Sequence, residues 1–182
     1  MDAYVFIRGA DASDIATLRK SDDDRLRFVT ALTGAYDGFV AIEANGLHDV
    51  QNAVFSSIRG AGLRDTDTSI AVRVPPPVDE ASAMGHHVPT ALRRWFVQRQ
   101  VEAYVRVRAE RGRARDVYEA VSSLEGYLGH ALVAGRCDLI LGFGGDDLQT
   151  VADEVLTQIH EMEGVDSTVT SFAVNDDGDN PL

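Results

Sequence analysis

The chain has 182 residues, enough for one domain or two, and sets 29 acidic residues against 17 lysines and arginines, a formal charge of −12. That balance argues against non-specific attraction to DNA, whose affinity comes largely from neutralised phosphates. No apolar run approaches the ~20 residues needed to span a bilayer, no charged-then-apolar leader follows Met1, and the lone Cys137 has no disulfide partner within the chain, so a cytoplasmic protein that makes no membrane contact is expected.

In chain order, Tyr4 to Arg8 is apolar and β-branched and reads as a strand. A short helix is expected near Ser13 to Lys20, then strands at Leu26 to Leu32 and Gly38 to Glu43 joined through Gly34-Ala35-Tyr36-Asp37. Leu47, Val50, Val54 and Ile58 recur at helical spacing, so a helix runs from about Leu47 to Arg59. Thr66 to Arg73 closes the unit as a strand.

Pro75-Pro76-Pro77 favours extended geometry and cannot donate to a sheet. It opens a linker over 74–100, in which Pro89 and the spacing of Leu92, Trp95, Phe96 and Arg99 predict a short amphipathic helix at Thr90 to Arg99. Beyond it, Ala103 to Val107 is a strand. Val117, Ala120, Val121 and Leu124 mark a helix that Gly126 ends, and Tyr127 to Val133 and Leu139 to Phe143 form a hairpin about Gly135 to Asp138. Asp146 is expected to cap a helix with Leu148, Val151, Val155 and Ile159 on one face. Gly164 closes it, and Thr168 to Val174 is the last strand. The acidic segment 175–182 is too polar to pack and is expected to be disordered.

The two halves repeat each other. Ala3-Tyr4-Val5 returns as Ala103-Tyr104-Val105, Gly34-x-x-Asp37 as Gly135-x-x-Asp138, and Thr66-x-Thr68 as Thr168-x-Thr170, with a register drift of two residues over the unit. Two domains follow, 1–73 and 101–174, each with the order β-α-β-β-α-β of the ferredoxin-like unit. Each spans about 70 residues, near the lower limit for one core, and leaves one sheet face bare. The fold class expected is therefore α+β, with two ferredoxin-like domains pairing their antiparallel sheets as a pseudo-dimeric α+β barrel.

No nucleophile-base pair, metal-ligand spacing or phosphate loop stands out. His86-His87 lies in the linker without HxxxH or CxxC spacing, and His48, His130 and His160 are isolated. Gly142, Gly144 and Gly145 lack the strand-GxGxxG-helix context. Cys137 beside Asp138 reads as a small apolar residue rather than a reactive thiol. The eight arginines between Arg93 and Arg115 read as a solvated face or as ion-pair partners for the acidic regions.

Taken in order, Ala103-Tyr104-Val105, Leu124-Glu125-Gly126, Gly135-x-x-Asp138-Leu139, Asp147-Leu148, Gly164-Val165 and Thr168-x-Thr170 resemble the effector-binding (RAM) domain of the Lrp/AsnC family, continuously over Glu102 to Val174. The first half follows the same pattern more loosely, although its Gly34-x-Tyr36-Asp37 is nearer the family's turn than Gly135-Arg136-Cys137-Asp138. The resemblance implies a domain that dimerises through its sheet and binds amino acids or related metabolites where dimers meet. It places Asp37 and Asp138 at the ligand's ammonium, backbone N–H groups of the Gly34 and Gly135 turns at its carboxylate, Tyr36 and Cys137 in those turns, and Thr66, Thr68, Thr168 and Thr170 along the site. The competing reading of the glycines and aspartates is that the hairpin turn itself needs them.

The resemblance also implies what to expect of the whole. Family regulators carry a helix-turn-helix before this domain, and Met1 lies almost at the first strand, so no direct nucleic-acid binding is expected. The expectation is a stand-alone tandem module, not an enzyme and without a cofactor, that senses a small-molecule effector such as an amino acid. It would form homo-oligomers, with a full-length Lrp/AsnC regulator as a further partner. The alternative is a cofactor-free dimeric α/β-barrel enzyme, such as a small monooxygenase or isomerase, built on Tyr4, Tyr104 or His130 inside the barrel.

Overall fold

A computed structural model describes residues 1–72 and 101–174. The first half runs β1 (Asp2–Arg8), α1 (Ala12–Arg19), β2 (Leu26–Ala31), β3 (Thr33–Gly34), β4 (Gly38–Glu43), α2 (Leu47–Asn52) and β5 (Asp65–Ala71), with α2 continuing into a wider π-helical turn over Ala53–Ile58. The second runs β6 (Val101–Ala109), α3 (Ala114–Ala120), β7 (Tyr127–Ala134), β8 (Leu139–Gly145), α4 (Leu148–Glu154) and β9 (Val165–Val174), with the same π-helical continuation over Val155–Ile159. Each half thus follows the expected β-α-β-β-α-β order, with β3 as a short extension of β2. The linker helix at Thr90 to Arg99, Arg73 and the tail lie outside the described residues.

Local chemistry explains the element ends. Asp11 caps α1 by accepting from the Ser13 and Asp14 amides, while the Asp14 carboxylate accepts from the Asp11 amide. Asp147, not Asp146, caps α4, its Oδ1 accepting from the Thr150 amide at 2.8 Å. The helix start moves one residue because that carboxylate reaches the third helical N–H. Gly126 and Gly164 turn the chain at φ 68° and 90°, as the helix-ending role of each requires.

The strands form one sheet in the order β2-β4-β1-β5-β7-β8-β6-β9-β3, with every pairing antiparallel. Among the described residues, two strand junctions join the halves. Ile70 and Ala71 of β5 pair with Ala134 and Val133 of β7, and Thr33 and Gly34 of β3 pair with Phe172 and Ser171 of β9. The two ends of the order, β2 and β3, are themselves separated in the chain by Leu32 alone.

Strand alternation sorts the apolar side chains into three cores. Ala3, Val5 and Ile7 of β1 pack under α1 and α2, and Ala103, Val105 and Val107 pack under α3 and α4. Their neighbours Tyr4, Phe6 and Tyr104 point to the opposite, helix-free face and join residues of both halves in a shared core that includes Phe39, Ala131, Val133 and Ile140. Phe39 and Tyr104 stack across it with centroids 4.6 Å apart. Among the described residues, each half therefore covers its helix-side face by itself and its other face only with its twin. Leu47 and Leu148, expected on the buried faces of α2 and α4, are instead about half exposed, because they stand in the first helical turn where the face has not yet reached the sheet.

Candidate functional site

The shared core is apolar at its centre and polar at one end. There Tyr36, Asp67, Arg106 and Cys137 form a buried floor, and Arg108, Arg136, Ser167 and Val169 an exposed rim, around a pocket of about 150 Å³. Asp67 and Arg106 come from opposite halves. They reach the pocket because β5 pairs with β1 so that Asp67 faces Phe6 while Thr66 and Thr68 face Ile7 and Val5. Arg106 likewise alternates inward with Tyr104.

The Arg106 guanidinium donates through Nη2 to Asp67 Oδ2 at 2.8 Å, with both side chains more than nine-tenths buried. Its Nη1 donates to the Tyr36 hydroxyl, which donates in turn to Asp67 Oδ2 at 3.4 Å. Arg106 Nε is fully buried and has no partner among the described residues. The same guanidinium lies 5.1 Å from the ring centroids of Phe6 and Tyr36, while Arg8 covers Tyr36 at 4.4 Å and donates to the Ala35 carbonyl. On the rim, Arg108 donates to the Arg136 carbonyl at 3.0 Å. Cys137 Sγ lies 4.0 Å from Ser69 Oγ.

Burial pushes the Tyr36 phenol up, against the opposing pull of Arg106. It pushes the Cys137 thiol up likewise, against the opposing pull of the neighbouring Arg106 guanidinium. Burial works against the charge of Arg106, but Cys137, Asp67 and Tyr36 hold it, and the balance raises its pKa. At neutral pH the floor thus holds a neutral phenol, a neutral thiol and a charged guanidinium. Asp67 offers a carboxylate whose two bonds, among the described residues, both fall on Oδ2. Cationic donors and one acceptor around a small cavity can bind a molecule that carries both a carboxylate and an ammonium. Among the described residues, no group of His, Cys, Asp and Glu is arranged to hold a metal ion.

Tyr36 and Cys137 of the expected site residues lie in this pocket; the others do not line it. Asp37 Oδ2 accepts from the Gly9 amide at 2.7 Å and Asp138 Oδ2 from the Ala109 amide at 3.0 Å, so each pins the chain leaving β1 or β6 to its hairpin turn. The backbone repeats the device: Asp37 bonds Ile7 and Leu32, and Asp138 bonds Val107 and Val133. Gly34 and Gly135 serve the junctions. A Cβ at Gly34, whose φ is 116°, would lie 3.2 Å from the Thr170 carbonyl oxygen, and one at Gly135 2.6 Å from Ser69 Oγ. Thr66, Thr68, Thr168 and Thr170 pair with Ile7, Val5, Val107 and Val105 and so share the helix-side face. The pocket takes the residues between and beside them, Asp67 and Val169.

Comparison with known proteins adds a fold. The siroheme decarboxylase NirDL superposes with a TM-score of 0.63 over 96% of this chain and 71% of that one, at 11% identity. That likeness shows a shared fold. A Thermus thermophilus protein is 30% identical over 42% of this chain and 95% of its own, with a TM-score of 0.39. E. coli AsnC matches with a TM-score of 0.39 at 11% identity, covering 57% of this chain and 70% of its own. No protein-family model and no curated protein matches the sequence.

Arg106 and Asp67 carry a signal that reading the repeat alone passes over. Arg106 interrupts an apolar strand at an inward position, and Asp67 does so between two threonines. His130, considered for the barrel interior, lies instead on the helix side against Tyr118, at a centroid distance of 4.2 Å, and bonds the Tyr127 hydroxyl. Burial lowers its pKa to about 4. Among the described residues, no helix is long and apolar enough to cross a membrane.

Proposed function

We propose that this chain is a small-molecule sensing module of a regulatory system, whose two ferredoxin-like halves close as a pseudo-dimeric α+β barrel and hold an amino acid or related metabolite at their junction. The carrying observation is the pocket at one end of the shared core, where Asp67 from one half and Arg106 from the other supply an acceptor for an ammonium and a donor for a carboxylate. The resemblance of both repeats to RAM domains agrees with that reading. Effector binding would act on assembly with further copies of the chain or with a DNA-binding Lrp/AsnC-type regulator in the cytoplasm, without contact of this chain with nucleic acid and without catalysis. Calorimetry against the proteinogenic amino acids, with light scattering in the presence and absence of any that bind, tests this. Failure of every amino acid and of the metabolites of their pathways to bind removes the sensing role.

An enzymatic reading has one observation in its favour: the buried, hydrogen-bonded set Tyr36, Asp67 and Arg106, in a fold shared with a decarboxylase. It would rest on Tyr36 and Asp67 rather than on Tyr4, Tyr104 or His130. A cavity of about 150 Å³ is too small for a tetrapyrrole, so any substrate would be small. Turnover of a bound metabolite, followed by NMR, separates the readings.

A further inference from the structure

The pocket contains pairs of positions that are equivalent in the repeat. Tyr36 and Cys137 both line it, and so do Asp67 and Val169. Equivalent residues meet in one cavity only where the approximate two-fold axis relating the halves passes through it. A symmetric pair of domains would offer a symmetric site there, and this chain does not. Beside Asp67/Val169 and Tyr36/Cys137, the repeat sets Phe6 against Arg106, Ala35 against Arg136 and Asp65 against Ser167, so that only Arg8 and Arg108 are alike.

From this asymmetry we infer that the two repeats build one binding site per chain, not two, and that it takes an α-amino acid with a short uncharged side chain in a single orientation. The inference rests on the sensing function proposed above and assigns its ligand class. The ligand lies antiparallel to the buried ion pair. Its ammonium faces Asp67 Oδ1, and its carboxylate faces the guanidinium groups of Arg108 and Arg136 on the rim, above the buried charge of Arg106. Turned about the axis, the same molecule would set its ammonium against Val169, unpaired in a desolvated floor, and its carboxylate against Arg8 alone, beside Phe6 and Ala35, where the first orientation offers several guanidinium groups. The volume admits on the order of five waters at about 30 Å³ each. That matches the few non-hydrogen atoms of glycine, alanine or serine and favours them over a second ligand or an aromatic side chain.

Calorimetry of the full chain with glycine, L-alanine, L-serine, L-phenylalanine and pyruvate tests the inference. The expected result is one small amino acid per chain, no binding of L-phenylalanine, and binding of pyruvate, which lacks the ammonium, weaker by at least about tenfold. Arg136→Ala, an exposed change that leaves the fold intact, weakens binding by about tenfold. Asp67→Asn, scored only after a urea melt shows it folded, removes the preference over pyruvate. Two molecules bound per chain, or affinity unchanged in both variants, overturns the inference. Binding of larger amino acids alone also overturns it while the sensing function stands; binding of no amino acid or related metabolite overturns both.

Discussion

The Asp67–Arg106 pair can be exchanged for the apolar pair that the repeat places at the equivalent positions, Val169 and Phe6. Asp67→Val alone leaves a guanidinium in a floor where its side chain is 7% exposed and Tyr36 is its remaining oxygen acceptor. Arg106→Phe alone leaves a carboxylate 8% exposed with one hydrogen bond of 3.4 Å from Tyr36. Breaking a buried pair from one side costs about 3–5 kcal/mol, because the surviving charge loses its compensation. For a chain of this size that lowers the melting temperature by roughly 6–20 °C, taking about 2–4 °C per kcal/mol. The double variant D67V/R106F removes both charges together and fills the space with the side chains already tolerated across the axis. Such replacements are neutral or stabilising by about 1–4 kcal/mol. Urea denaturation of the four proteins of the cycle measures the coupling, expected to exceed about 5 kcal/mol. If the single changes cost under about 1 kcal/mol, or if the double change costs their sum, the pair is not the closed, desolvated unit described here.

Further predictions concern the junctions, the turns and pH. Gly135→Ala places a methyl against Ser69 and costs about 1–3 kcal/mol by chemical denaturation, part of it recovered in Gly135→Ala/Ser69→Gly, where the nearest atoms are gone. Asp138→Ala frees the Ala109 amide and costs about 1–3 kcal/mol while leaving ligand affinity within about twofold, since Asp138 only pins the turn. His130 is held near pKa 4 by burial, against about 6.5 when unfolded, so its contribution to stability is complete above pH 6.5, declines as the pH falls from there to 4 and is level below. That loss amounts to about 3 kcal/mol at most, and His130→Val, which copies Val29 at the equivalent position, flattens urea midpoints across this window. Asp23, lowered to about 2 chiefly by its hydrogen bonds with Arg25, adds a separate loss between pH 3.8 and 2 that Asp23→Asn abolishes.

The strands and the repeat were legible because apolar alternation and glycine placement are local signals, so β1, β4, β6 and β8 stand within two residues of where the sequence puts them. The face of each strand is a harder matter, since a shift of one residue exchanges every side chain between faces. Thr66 and Thr68 recur in the second half because the helix-side packing recurs there. Their neighbour Asp67 faces the axis, and nothing in its own half records what it meets. The Gly-x-x-Asp turns were legible as turns. Their work, pinning the Gly9 and Ala109 amides and letting Ser171 and Ser69 approach, depends on segments far away in the chain.

Likeness between the halves and the directional site proposed between them pull in opposite directions. Residues that build each half, such as Val5 and Val105 or Asp37 and Asp138, are repeated because both halves face the same packing problem. Residues on the axis face their own equivalents, where identity is a liability: two copies of Asp67 would bring carboxylates together, and two copies of Arg106 would bring guanidinium groups together, each pair buried without an opposite charge. A single chain carrying both halves escapes this constraint, because Asp67 can be kept in one and Arg106 in the other. The same divergence specifies the pairing of the unlike halves over that of like halves from two chains, since only the unlike pair compensates its buried charges. Fusion of the halves therefore does more than hold them at high local concentration: it permits a polar, directional pocket at a place where a symmetric dimer is confined to self-complementary chemistry.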